Sequence, residues 1–445
     1  MTAGTTSLPR SSPQGPTDRL YSFLVEEEDA RVCRDIGEEA CTEVPGNFLK
    51  IGISHTLTKL ADELSSAKTV LPWVFTSVGA PSSFIGFLVP IRESGSLLPQ
   101  LVIAAAVRRQ PRRKHVWVVG AILQALSLAG MGGVAVSFRG GFAGLALLAL
   151  LILFSLARGL VSVASKDVMG KTVPKTRRGR LTGFTTALAG VFALLLGAGL
   201  ATLVSDDPPP GTLAFLLGLA ALLWLWAAGI FFSILEVAGA TEGGGDALRE
   251  GLARLDLLRT DPDFRRFVWV RACLVSTGLS APFYVTLARE TSSGGNQLAL
   301  FVLASGLAAA VSSVFWGRYS DFSSRSVLVT AASMASSLGL LVFLLDLGGI
   351  VARLPFLAPT AFFLLSIAHG GVRVGRKTYI LDMARGVRRT DYVAVSNSVI
   401  GVVLLLGGAL GLLAPLVGSG GMLLLLSILG FAGVWGGRGL PETEG

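Results

Sequence analysis

Charge is scarce in this chain of 445 residues. Only 15 % of it is Asp, Glu, Lys or Arg, against roughly 25 % in a soluble domain. That shortage, with a mean hydropathy of +0.65, argues against a soluble globular protein. Histidine and cysteine are scarcer still. Three histidines and three cysteines (Cys33, Cys41, Cys273) form no cluster with metal-ligand spacing. Cys33 and Cys41 lie eight residues apart; on one helix they stand about 12 Å apart, beyond disulfide reach. No Gly-x-Ser-x-Gly turn and no Gly-rich loop ending in Lys are present, so a serine nucleophile and ATP drive are not expected. No cofactor, no metal and no enzymatic activity are expected. The N-terminus is polar and acidic rather than an apolar leader, so no cleavable signal peptide is read there.

Long apolar runs are abundant. Twelve segments approach or exceed the roughly 20 residues that a bilayer core requires: 48–78, 82–107, 115–138, 141–165, 181–204, 212–236, 265–289, 297–316, 326–347, 354–382, 391–416 and 420–438. Residues 1–46 form a tail, with a polar stretch to about residue 20 and an acidic segment after it. In that segment Val32, Ile36 and Ala40 recur every four residues, as on a short amphipathic helix. The expected organisation is a tail over 1–46, a six-helix bundle over 47–236, a polar linker over 237–264, a second bundle over 265–438 and a tail over 439–445.

The net charge of +9 does not point to nucleic acid, because the basic residues sit in short loops between apolar runs. Arg108, Arg109, Arg112, Arg113 and Lys114 follow span two; Lys171 to Arg180 follow span four; Arg318 and Arg325 follow span eight; Arg385, Arg388 and Arg389 follow span ten. The opposite loops hold Arg139, Arg289 and Arg353. The positive-inside rule places both termini and the linker in the cytoplasm of a cell-membrane protein.

The stretch from Leu153 to Gly199 is written twice. Ala157, Gly159, Val161, Lys166, Arg177, Arg178, Gly190 and Gly197 recur without a gap 211 residues later as Ala368, Gly370, Val372, Lys377, Arg388, Arg389, Gly401 and Gly408. An offset near half the chain is a duplicated half, not a short repeat. Arg158 and His369 are equivalent positions in it, as are Arg180 and Asp391.

Two related six-span halves joined by a cytoplasmic linker resemble the major facilitator superfamily of secondary transporters. The loop after span eight is similar to that family's signature at Gly317, Asp321 and Arg325 and departs from it at Phe322 and Ser324. The matching loop of the first half keeps the basic end, but Arg108 stands where the acid is expected. The resemblance implies an all-α integral membrane protein of twelve transmembrane helices in two pseudo-symmetric bundles, working by alternating access. It also implies a latch in which Asp321 sits on the N-terminus of span five beside Arg178 and Arg180. Asp391 is the expected partner of Arg108.

Ionisable groups within a span cost several kcal/mol unless paired or facing water, so they mark function. They are His55, Lys59, Asp62 and Glu63 in span one, Arg92 and Glu93 in span two, Arg158 in span four, Arg271 in span seven, and His369 and Arg373 in span ten, followed by Arg376 and Lys377. Spacing allows Lys59 to pair with Asp62 or Glu63. The resemblance implies that Asp62 or Glu63, Arg158, Arg271 and His369 face one central pathway. A carboxylate in an apolar cavity and a histidine are both candidate proton carriers. The excess of interior cations favours an anionic or zwitterionic small molecule. The expected protein is a monomeric proton-coupled transporter in a lipid bilayer. A membrane sensor or scaffold that keeps the fold and an uncoupled uniporter are the alternatives.

Overall fold

The computed structural model describes residues 41–99, 102–103, 106–107, 109–203, 208–239, 254–291, 297–320, 322–383 and 388–442. All regular structure among them is helical. Among the described residues, eight stretches are long and apolar enough to cross a membrane by length and composition alone. The uninterrupted ones include span three (Lys114–Ser137), span four (Gly140–Thr172), span six (Pro210–Phe232) and span nine (Ser324–Leu347). Span five (Lys175–Leu203), span eight (Gln297–Ser320) and span ten (Leu357–Met383) complete the long helices of the two halves. Span eleven starts as Arg388–Gly408, and span twelve ends the helix Ala414–Arg438 after a kink at Gly418. Gly418 has a φ of 70°, a left-handed conformation that glycine adopts without steric cost.

Spans one and seven are broken at corresponding places. Span one is a helix Val44–Leu64 and a helix Val70–Ser77, separated by Ser65–Thr69. Ser65 Oγ donates back to Ala61 O at 2.8 Å, the local competition by which serine weakens a helix. Span seven runs as Pro262–Leu274, Ser276–Leu279 and Ala281–Thr291. Gly278 and Pro282 flank its second break, and proline supplies no N–H to continue the preceding turns. Each break leaves backbone polar groups open within the span.

Small residues bring the halves together. Gly197 of span five lies against Leu303 of span eight, and Gly401 of span eleven against Leu98 beside span two. The tightest approach is at the end opposite the basic loops. A Cβ built on Gly86 there overlaps Gly411 Cα. At the same end Arg289 donates to Trp73 O at 3.2 Å and to Thr76 Oγ1, with its guanidinium 4.9 Å from the Trp73 ring centre. This end is closed.

One sequence expectation is corrected at Cys41. Cys41 is disulfide-bonded, whereas Cys273 is free. The 12 Å separation assumed a single helix through Cys33 and Cys41, and a disulfide at Cys41 requires a partner Cα within about 7 Å; Cys33 itself lies outside the described residues. So does the acidic segment before residue 41.

Candidate functional site

Asp62 is the centre of the polar interior. It sits near the end of the first helix of span one, beside the break. Arg158 of span four donates to both of its carboxylate oxygens at 2.7 Å, and Arg92 of span two donates to Oδ1 at 2.8 Å. The Arg92 guanidinium also donates to Ser65 O at 3.0 Å and stands 5.0 Å from the Phe154 ring centre. It therefore caps a carbonyl that the broken helix leaves open while pairing with Asp62. One carboxylate thus ties spans one, two and four together.

The expected pairing of Lys59 with Asp62 or Glu63 does not occur. Lys59 points toward span five and donates to Thr186 Oγ1 at 2.6 Å and Thr185 Oγ1 at 3.5 Å. Two guanidiniums with bidentate reach from neighbouring helices win Asp62 over one ammonium on its own helix. Glu63 instead crosses to the other half, accepting from Ser305 of span eight at 3.3 Å. His55 meets Ser165 at 2.9 Å on span four.

Two adjoining cavities lie between the halves. The smaller, about 240 Å³, is lined by Asp62, Glu63, Arg92, Arg158, Thr277 and Ser305, among others. The larger, about 430 Å³, is lined by Arg271, Arg376, Lys377 and Asn397 with an apolar wall that includes Leu97, Leu274, Val275 and Leu404. Lys68, Glu93, His369 and Arg373 border both, so the two cavities adjoin. Glu93, Arg373 and Lys377 are solvent-exposed within them. Arg271 is buried and held by neutral groups, donating to Ser396 Oγ at 2.6 Å and Asn397 Oδ1 at 2.9 Å. His369 Nδ1 and Thr277 Oγ1 are 3.0 Å apart across the break of span seven.

Eight of the nine pathway residues read from the sequence therefore line the cavities: Asp62, Glu63, Arg92, Glu93, Arg158, Arg271, His369 and Arg373. Lys59 does not. Arg158 and His369, equivalent in the duplication, both reach the smaller cavity. Lys68 was missed, although the Ser65-Ser66 pair before it signals the break that places it there. Asn397 and Ser305 carry no sequence signal, since uncharged polar residues are common in membrane helices.

The expected latch is described only in part, because Arg108 and Asp321 lie outside the described residues. Gly317 lies on span eight. Arg178 donates to Gly170 O at 2.7 Å and Val173 O at 2.9 Å, closing the end of span four rather than reaching across. Arg180 is exposed, and Asp391 lies in the first turn of span eleven. Within the first half, an acid at the end of span six meets the start of span three. Glu236 accepts from the backbone N–H groups of Arg113 and Lys114 at 3.0 and 2.8 Å, at the start of span three, and from Lys171 at 2.9 Å. The second half has a related contact made through side chains. Glu442, after span twelve, pairs with Arg325 at 2.5 Å and accepts from Ser323 at 3.2 Å at the start of span nine. Lys114 and Arg325 are separated by the same 211 residues as the duplication. A carboxylate on a helix N-terminus is favoured by its free N–H groups and dipole.

Comparison with protein-family models finds no match, and neither does comparison with curated protein sequences. Solved structures do match. A D-xylose–proton symporter aligns with a TM-score of 0.68 at 14 % identity, over 89 % of this chain and 99 % of its own. The nucleoside transporter NupG aligns with a TM-score of 0.65 at 12 % identity, over 88 % and 98 %. A transporter of the POT family, solved with a thioalcohol-conjugated peptide, aligns with a TM-score of 0.68 at 12 % identity, over 90 % and 97 %. Another matching structure, XylE, is described as a major facilitator superfamily proton:xylose symporter. The chain is an all-helical, multi-pass membrane protein with the fold of the major facilitator transporters.

Proposed function

We propose that this chain is a secondary active transporter that moves a small anionic or zwitterionic solute by alternating access, driven by protons. The observation that supports it best is the pathway between the halves, where Glu63 and Asp62 stand beside three arginines and a histidine at the breaks of spans one and seven. Residues 47–236 and 265–438 are the two moving bodies. The basic loops face the cytoplasm of a cell membrane, so the closed end faces outward and the conformation is inward-facing. Glu63 is assigned as the proton carrier. It has a hydroxyl partner and no cation within 4 Å among the described residues, and its bond to Ser305 spans the halves. Protonation breaks the ionic part of that bond and so links proton binding to domain movement. Asp321 and Arg108 complete the cytoplasmic latch in this reading, with Asp391 as the partner of Arg108.

Liposomes that contain the purified protein and an internal pH-sensitive dye test this, with a panel of labelled organic acids and amino acids outside. Wild type is expected to carry a solute with a matching dye response. Glu63→Gln is expected to lose uptake driven by a pH gradient and to retain solute exchange. A full pH-gradient response in Glu63→Gln contradicts the assignment, and solute flux without any dye response identifies a uniporter.

A further inference from the structure

The larger cavity carries uncompensated positive charge. Lys68, Arg271, Arg373, Arg376 and Lys377 face it, and Glu93 is the one acid among its described lining residues. None of the five cations makes an ion pair within 4 Å among the described residues. Arg271 has neutral partners, and one of its guanidinium nitrogens, Nε, is buried with no hydrogen bond. The smaller cavity differs, because Asp62 there pairs with both Arg92 and Arg158. Cations held inside a bundle without counter-charge are costly and mark a ligand path. The same lining is apolar elsewhere, with Leu97, Leu274, Val275, Ile380, Val393 and Leu404. A volume of about 430 Å³ falls within the range of sites that enclose whole organic molecules.

We infer that the substrate is an amphipathic organic dianion, a dicarboxylate or phosphomonoester on an apolar body. Its anionic groups lie among Arg271, Arg373, Arg376 and Lys377, and its body lies on the leucine and valine wall. A monoanion leaves most of the cationic charge unmatched. A zwitterion has Glu93 alone for its ammonium, already flanked by Lys68. Inorganic phosphate satisfies the charge and leaves the apolar wall wet. The inference rests on the transporter reading and narrows its solute.

Calorimetry on purified full-length protein in uncharged detergent, at mildly alkaline pH, tests it with five probes: naphthyl phosphate, naphthalenedicarboxylate, naphthoate, naphthyl glucoside and inorganic phosphate. At least one of the two organic dianions is expected to bind at least tenfold tighter than the other three. Arg376→Gln is expected to weaken that dianion about tenfold, equivalent to the loss of about 1.4 kcal/mol, with less effect on naphthoate. Lys377→Gln, at an exposed position, is the second variant should Arg376→Gln fail to fold. Failure of both organic dianions to bind, equal binding of naphthoate or the glucoside, or unchanged dianion affinity in the folded variants overturns the inference. Counterflow of the bound dianion in liposomes separates the two readings. Dianion binding without counterflow contradicts transport and leaves the site standing, whereas glucoside flux without dianion binding contradicts the site alone.

Discussion

Asp62→Ala is expected to destabilise the folded protein by about 3 kcal/mol, near the lower end of the cost of breaking a buried ion pair from one side. The lower end applies because burial is incomplete: the side chains of Arg92, Asp62 and Arg158 are 10 %, 21 % and 34 % exposed. The cost arises from what remains. Two guanidiniums are left facing each other with no carboxylate between them, and the capping bond from Arg92 to Ser65 O must hold against that repulsion. Asp62→Asn is expected to behave nearly as badly, since its amide fills the space without the charge. Arg158→Gln is expected to be milder, because Asp62 keeps Arg92. The combination Asp62→Asn with Arg158→Gln is then expected to be more stable than Asp62→Asn alone. Reversible unfolding by sodium dodecyl sulfate in mixed micelles reads all four. Additive losses in the double variant contradict a shared triad.

Gly411→Val is expected to open the end that is closed here. Gly86 and Gly411 bring the backbones of spans two and eleven into contact, and a Cβ on Gly411 stands 2.6 Å from Gly86 Cα and 2.9 Å from Ser83 O. Both neighbours are backbone atoms, so no side chain can swing aside. Overpacking of this kind costs about 1–3 kcal/mol, charged to this conformer and relieved when the halves part at that end. The expected result is a shifted conformational balance with the fold intact. Labelling of a cysteine introduced at Ser77, beside this interface, is expected to rise several-fold in Gly411→Val. Unchanged labelling in a folded variant contradicts the assignment of this contact as a gate.

Much of this was legible in the residues. The apolar run lengths, the basic loops on one side and the 211-residue echo led to two six-helix halves because each rests on local composition. The cavity lining was legible for a related reason: a charge within an apolar run needs a polar surrounding, and eight of the nine expected residues line the cavities. Their partners were not legible. Lys59 has ideal helical spacing to Asp62 and Glu63, yet Arg92 and Arg158 reach Asp62 from other helices, and sequence separation says nothing about which helices face each other. Nor does spacing in sequence show that Glu236, at the end of span six, meets the start of span three. The break in span seven shows in Gly278 and Pro282. The break in span one rests on two serines, a weaker signal, and Lys68 was overlooked with it.

Alternating access requires the two halves to move in opposite senses at the two ends of the cavities. Spin labels at Lys166 and Thr378 report the basic end, and labels at Phe138 and Leu347 report the closed end. Distances are measured by double electron–electron resonance in lipid nanodiscs, with and without naphthyl phosphate or naphthalenedicarboxylate, and in the Gly411→Val background. Alternating access predicts reciprocal shifts, with the basic-end distance shortening as the opposite one lengthens in at least one of these conditions. Distances that stay fixed in all of them, or that change in the same sense at both ends, contradict it.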